Sequence, residues 1–448
     1  MEKHMVIAGV IVTSTGLNNL EVAPGYVMVV DGKITRKGNI KEFERLEGQG
    51  ALRGYNVIKM HEEQFLMPGL IDCHTHAPQF PNLGLGMNLI ALYWLQEYIY
   101  PLESEFYKTD YAKDVYSQAV RRLLKNGTTT ACYTGTLHLD GTMELVKSVI
   151  DQKQRALIGK VSGNIENKFG YYNNIDTELA ETKTFIKKVL ALGNDLVLPV
   201  VAPRCPLSCD NDMMNKLAKL AVKYDCRMQS HISESKDDIT QVLQLNPGCM
   251  NYAEVFDKCD VLTKKCILAH GVHLTGHEID LLKMRDVGLV HCPASNTRLR
   301  SGICPVRKLL NHGLKIALGT DVAGGDSTSM LDAIRRTIDV STHLELLDGQ
   351  YSAINWKEAF YLSTLGGAKV LNLDDKIGSL EVGKEFDALL IDVYAPGSPI
   401  DECNKHFVGY VKDHERLVQL FLSSGDYRNI SKVFVKGRLI KDEGALVL

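Results

Sequence analysis

Two histidines one residue apart, His74 and His76, end an apolar run that begins at Phe65. Side chains two apart on a strand share a face, so both imidazoles can look into one cavity while Thr75 turns away. Two neutral imidazoles at a strand end are half of a divalent-metal site. An isolated pair of this kind is more often a chance feature of a strand-to-turn junction, but the chain supplies the rest. Pro203-Arg204, Gln229-Ser-His231, Ala269-His270 and Gly319-Thr-Asp321 each end a later apolar run. One buried histidine is usually a satisfied core residue; four histidines and an aspartate at the same register are poorly explained that way. Imidazole and carboxylate suit Zn²⁺, with Fe²⁺ or Ni²⁺ chemically possible. A catalytic zinc keeps a position open for water and lowers its pKa toward about 7. Such chemistry also needs a proton carrier. Glu234, three residues after His231 at the start of an expected helix, puts a carboxyl beside the metal but off it. Asp237 and Asp238 read as the solvated face of that helix.

These residues need a scaffold that brings strand ends to one rim. From Phe65 onward, short apolar strands alternate with amphipathic helices, the pattern of a parallel sheet with crossover helices. After the first strand, the expected strands are 128–133, 156–161, 196–202, 227–232, 266–271, 288–292 and 315–321. Expected helices cover 89–103, 108–125, 142–153, 177–192, 210–224, 235–245, 275–286, 305–312 and 328–345. Eight units close a (β/α)8 barrel, whose catalytic groups sit at the C-terminal strand ends. A further helix, from Asn355 to about Leu371, is expected outside the barrel. Both ends of the chain read as short strands (5–13, 26–30, 34–37 and 57–60; then 387–392 and 432–440) with little helix. The expected fold is α/β: a TIM-like barrel over 65–372, and a small β-sandwich-like domain from 1–64 plus 373–448.

Composition narrows the function classes. The chain has 448 residues, 45% hydrophobic and 23% charged, with a net charge of −3. That charge gives no electrostatic claim on nucleic acid or anionic membrane, and no apolar run is long enough to span a bilayer. The 11 cysteines are scattered, with no CxxC pair and several in apolar runs, which points to reduced thiols in a cytoplasmic protein. HExxH, Walker A and GxGxxG motifs are absent.

Asp72-Cys-His74-Thr-His76, Gly319-Thr-Asp321 and the tail Ile377-Gly-Ser-Leu-Glu-Val-Gly-Lys-Glu-Phe-Asp387-Ala resemble the amidohydrolase superfamily. Pro68 to Gln79, Gln229-Ser-His-Ile-Ser-Glu234 and Gly319-Thr-Asp-Val-Ala-Gly-Gly325 resemble the guanine deaminases within it. Gly127-Thr-Thr-Thr130, His291-Cys-Pro293 and 329–336 are similar to the same group. The resemblance implies zinc-dependent hydrolysis of guanine to xanthine and ammonia. It implies one Zn²⁺ per subunit on His74, His76, His231 and Asp321, with His270 beside it. Glu234, Asp321 and His270 would be catalytic. Gln79, Arg204, Cys205, His231, Glu234 and His270 would meet the purine, and a homodimer is usual. Binuclear members carry a carboxylated lysine, commonly at the end of the fourth strand. Here Arg204 stands there, leaving Lys160 in the third strand as the other lysine to weigh. Two positions depart from the guanine deaminase pattern: Cys205 replaces a phenylalanine and Ala294 an asparagine. The other readings are deamination or dechlorination of a different amino-heterocycle, and a metal-free scaffold.

Overall fold

The structure is a computed structural model that describes residues 4–401, 403, 413–443 and 445–447. Eight parallel strands form one sheet in chain order. They are Leu70–His76 (β6), Thr128–Thr134 (β7), Arg155–Ser162 (β8), Val197–Pro203 (β9), Arg227–Ile232 (β10), Cys266–His270 (β11), Gly288–His291 (β12) and Lys315–Leu318 (β13). Every residue of β6, β7 and β8 is buried. This is the signature of parallel strands covered on both faces. Four of the crossover helices start at side-chain caps. Asn174 accepts from the Thr177 N–H and Asp210 from the Met213 N–H, while Ser235/Asp238 and Thr275/Glu278 form reciprocal capping boxes.

The first strand differs from its expected form. The run from Phe65 is two strands, Gln64–Pro68 (β5) and β6, broken at Gly69. A Cβ on Gly69 would lie 2.0 Å from Thr129 Oγ1, so the chain passes β7 there only because the side chain is missing. β5 joins a second, nine-stranded sheet with His4–Gly16 (β1), Asn19–Val30 (β2), Lys33–Asn39 (β3), Asn56–Lys59 (β4), Ala388–Asp392 (β14), Ile430–Val435 (β15), Arg438–Asp442 (β16) and Ala445–Leu446 (β17). The two ends of the chain meet where β14 runs antiparallel to β5, Leu389 opposite Met67.

Four helical regions also depart from expectation. The stretch read as one helix over 89–103 is an α-turn at Ala91–Trp94, a π-turn at Leu95–Ile99 and a short helix at Tyr100–Ser104 with Pro101 in its first turn. The helix read from Asn355 to Leu371 is two, Trp356–Leu362 and Leu365–Val370. The second does not lie outside: Ala368, Val370 and Leu371 share one buried cluster with Cys73, Leu157 and Ala317 of the barrel strands. Helices at Ile40–Gly48 and His414–Ser424 occur in ends read as almost purely β. Among the described residues, no helix is long and apolar enough to cross a membrane, and no disulfide joins the cysteines.

Candidate metal and base-binding site

β6 and the segment just after β13 close the ring through backbone and side-chain hydrogen bonds. The Asp321 N–H donates to the His74 carbonyl at 2.9 Å. Asp72 Oδ1 accepts from the Thr320 N–H at 3.0 Å and the His74 N–H at 3.3 Å, and its Oδ2 accepts from the Thr320 hydroxyl. Burial pushes the Asp72 carboxyl up to about 6, against those donors. The sequence reading quoted Asp72 in its motif without a role; it holds the seam.

At the top of that seam four donor atoms converge. His76 Nε2 lies 3.1 Å from His74 Nε2 and 3.2 Å from His231 Nε2, and Asp321 Oδ1 is 3.4 Å from both His74 Nε2 and His76 Nε2. Ligands about 2.0–2.1 Å from a tetrahedral ion stand about 3.4 Å from one another, so the spacing fits one small cation. The opposite ring nitrogens fit it too. His74 Nδ1 is 3.0 Å from Gln229 Oε1 and His231 Nδ1 is 2.8 Å from the Arg204 carbonyl. Each faces an acceptor, so each carries the proton and leaves Nε2 its lone pair. Burial, then His74, holds His76 and His231 well below the usual histidine range. Asp321, although buried, is held well below the carboxylate range by its hydrogen bond with His74. His270 stands beside the group, with Nδ1 2.8 Å from Asn296 Oδ1 and Nε2 3.8 Å from Asp321 Oδ2 and 3.6 Å from Glu234 Oε2. Burial works against its charge, but Glu234 and Asp321 hold its pKa up. His270 and Asp321 have φ of 77° and 48°, the left-handed region that non-glycine residues enter mainly where surroundings force it.

Above the donors is a cavity of about 340 Å³ lined by Gln79, Arg204, Cys205, Glu234 and Asp238 among others. Leu92, Trp94, Leu95 and Leu207 form much of its apolar wall. Glu234 is fixed by the Ser301 hydroxyl, which donates to Oε1 at 2.9 Å. Asp238 is not on the solvated face. It is half-buried in the capping box, its Oδ1 accepting from the Ser235 N–H at 3.2 Å. Burial and then Glu234 push its carboxyl up to about 7. Asp237 is exposed as expected.

Arg204 and Gln79 are less free than expected. Arg204 Nη1 and Nη2 donate to Glu103 Oε2 and Oε1 at 2.6 and 3.2 Å, and Gln79 Nε2 donates to Glu103 Oε1 at 2.9 Å. The Arg204 guanidinium also lies over the Tyr100 ring, 5.3 Å from its centroid. Burial would lower the Arg204 pKa, but Glu103 holds it above the usual arginine value. Gln79 Oε1 accepts from the Ala323 N–H at 3.2 Å, so that oxygen is engaged instead of open to a ligand. Glu103 was missed in the sequence. Its one signal was an acid ending an apolar, aromatic stretch. Cys205 is half-buried, with Sγ 3.7 Å from Ser208 Oγ. Lys160 points away from the cavity: its fully buried ammonium donates to Glu178 Oε1 at 2.6 Å under the helix Ile175–Ala191.

Comparison with known proteins agrees with this geometry. A profile of the Amidohydrolase family matches residues 65–440. A guanine deaminase of Rattus norvegicus is 41% identical over 442 residues, covering 98% of this chain and 97% of its own. One from Escherichia coli K12 is 30% identical over 435 residues, covering 96% and 95%. The crystal structure of a guanine deaminase from C. acetobutylicum with guanine bound in its active site superposes with a TM-score of 0.88 at 34% identity, covering 97% of this chain and 99% of that one. The chain therefore belongs to the amidohydrolase family and, within it, to the guanine deaminases.

Proposed function

We propose that this protein hydrolyses guanine to xanthine and ammonia, with one Zn²⁺ per subunit held by His74, His76, His231 and Asp321. The observation that carries the reading is the convergence of those donors, with His76 Nε2 3.1 and 3.2 Å from the Nε2 atoms of His74 and His231 and Asp321 Oδ1 3.4 Å from His74 and His76, under a cavity that also receives Glu234. A bound zinc supplies Lewis acidity, the property that brings a water's pKa toward about 7. The remaining work belongs to side chains. Glu234 takes a proton from the attacking water as its oxygen bonds to C2, and delivers it to N3. His270 and Asp321 orient that water from the other side. The C2–N bond then breaks as the proton of the new C2 hydroxyl passes to the departing amine and that oxygen becomes a carbonyl, and ammonia leaves xanthine behind. Arg204 and Gln79 meet the C6 oxygen edge of the base.

A single metal is supported by Arg204 at the end of β9, where a bridging lysine would stand, and by Lys160 facing Glu178 under a helix. A homodimer in the cytoplasm is the assembly and place this reading carries. The test is incubation with guanine and an ammonia readout, with and without a chelator. Chelator-sensitive ammonia release is expected; no release from zinc-loaded protein would refute the reading.

A further inference from the structure

Glu103 has no part in the proton transfers of the reaction. Its carboxylate is fully buried, comes from the short helix Tyr100–Ser104, and among the described residues shares no hydrogen bond or ion pair with a metal-site residue. It accepts three hydrogen bonds, one from Gln79 and two from Arg204. Those two side chains come from opposite parts of the ring, just after β6 and just after β9. One carboxylate thus fixes two groups on a single wall of the cavity.

What that wall can offer a ligand follows from donor bookkeeping. The Gln79 amide is oriented twice over, by the Ala323 N–H on Oε1 and by Glu103 on Nε2. Flipped, its NH₂ would face a backbone N–H and its oxygen would face a carboxylate. Both restraints therefore hold the second Nε2 hydrogen as the group available to a ligand. Arg204 has donors only, and each of its terminal nitrogens spends one hydrogen on Glu103 and retains one. Glu103 itself, fully buried behind these partners and not lining the cavity, is withdrawn from the ligand.

We infer that Glu103 is a specificity-determining positioning residue, which locks Gln79 and Arg204 into a donor-only wall and so restricts the substrate class to heterocycles presenting an oxo edge. An oxo group beside an unprotonated ring nitrogen, as at C6 and N7 of guanine, meets these donors. An amine at C6 sets N–H against N–H. A site built to hydrogen-bond one group can reject its analogue by about 10⁴–10⁵-fold. This inference rests on the guanine reading above.

The experiment compares zinc-loaded wild type with Glu103→Gln on guanine and on 2,6-diaminopurine, which differs from guanine in carrying an amine at C6. An amide at 103 supplies its own donors and no charge, so Gln79 and Arg204 lose their common anchor. Expected is a guanine KM raised at least tenfold, a smaller change in kcat, and a preference for guanine over 2,6-diaminopurine narrowed at least about tenfold, part of the discrimination such polar sites provide. Zinc content should stay at the wild-type level. A purely structural role would lower both substrates together, and an unchanged preference in Glu103→Gln overturns the inference. Should that variant not fold, Glu103→Asp keeps the charge beside Arg204 but draws it back by one methylene. The same ratio is then read, and an unchanged ratio again overturns the inference. A wild-type enzyme that releases ammonia equally from both bases overturns the inference and leaves the guanine reading standing, whereas one that releases none from guanine defeats that reading, before any variant is made.

Discussion

The floor of the cavity and the wall that carries Gln79 and Arg204 are built differently. The floor takes His74, His76, His231, His270 and Asp321 from or just beyond the ends of β6, β10, β11 and β13, so the sheet positions the ligand atoms. The wall takes Gln79 from a 3-10 turn, Arg204 from just past β9 and Glu103 from a broken helical segment. An ion pair between residues 101 positions apart, with Gln79 bonded to the same carboxylate and to the Ala323 N–H, organises it. A floor made by backbone register tolerates side-chain loss without losing its shape. A wall made by side chains holding one another does not.

The largest effect tests whether chemistry belongs to the floor alone. Glu234→Gln keeps the shape and the Ser301 contact but gives up the proton. Turnover on guanine should fall by about 10²–10⁴-fold, the usual worth of a general acid–base group, with zinc and melting temperature unchanged. Steady-state rates and elemental analysis check this, and near wild-type turnover would remove Glu234 from the mechanism.

Arg204→Met tests the wall's dependence on its own partners. It leaves Glu103 buried beside Gln79 without its cation. Stranding one partner of a buried pair costs about 3–5 kcal/mol, so chemical denaturation should show a loss of that order together with weaker guanine binding. Stability equal to wild type would mean the wall does not rest on the pair. The smallest effect sharpens the comparison at the wall's edge. Cys205→Phe adds an aromatic surface beside the base, and such contacts are worth about 0.5–1.5 kcal/mol. The guanine KM should fall a few-fold with kcat nearly constant; a raised KM would show that the ring blocks the cavity instead.

The same division decides what could be read from the sequence. β10 runs from Arg227 to Ile232, as its apolar pattern indicates, and each metal-ligand candidate closes or follows such a run. A strand's alternation is written in neighbouring residues, so its end and the direction of its side chains are local information. Glu103 is not local. The stretch before it has helical spacing, but Pro101 and the π-turn over Leu95–Ile99 interrupt the helix, and its partners lie 24 and 101 residues away. The helix Ile40–Gly48 escaped for another reason. Only Phe43 and Leu46 of its nine residues are buried, too thin an apolar stripe to stand out from the flanking strands. The split of the run from Phe65 turns on one close approach, Gly69 against Thr129, which no periodicity encodes.

The seam between the first and eighth barrel strands also imposes an order in time. Thr320, which ties Asp72 to the far side of the ring, is made 248 residues later. At about 5–20 residues per second, synthesis of that interval takes roughly 12–50 s. Throughout it His74 and His76 are already part of the chain while Asp321 does not yet exist. A nascent chain therefore carries an incomplete ligand set, two imidazoles until His231 is made and three after it, and the complete set arises in the same moment that the barrel can close. Ring closure and competence to hold the ion are one event, reached near the end of the barrel and not at its beginning.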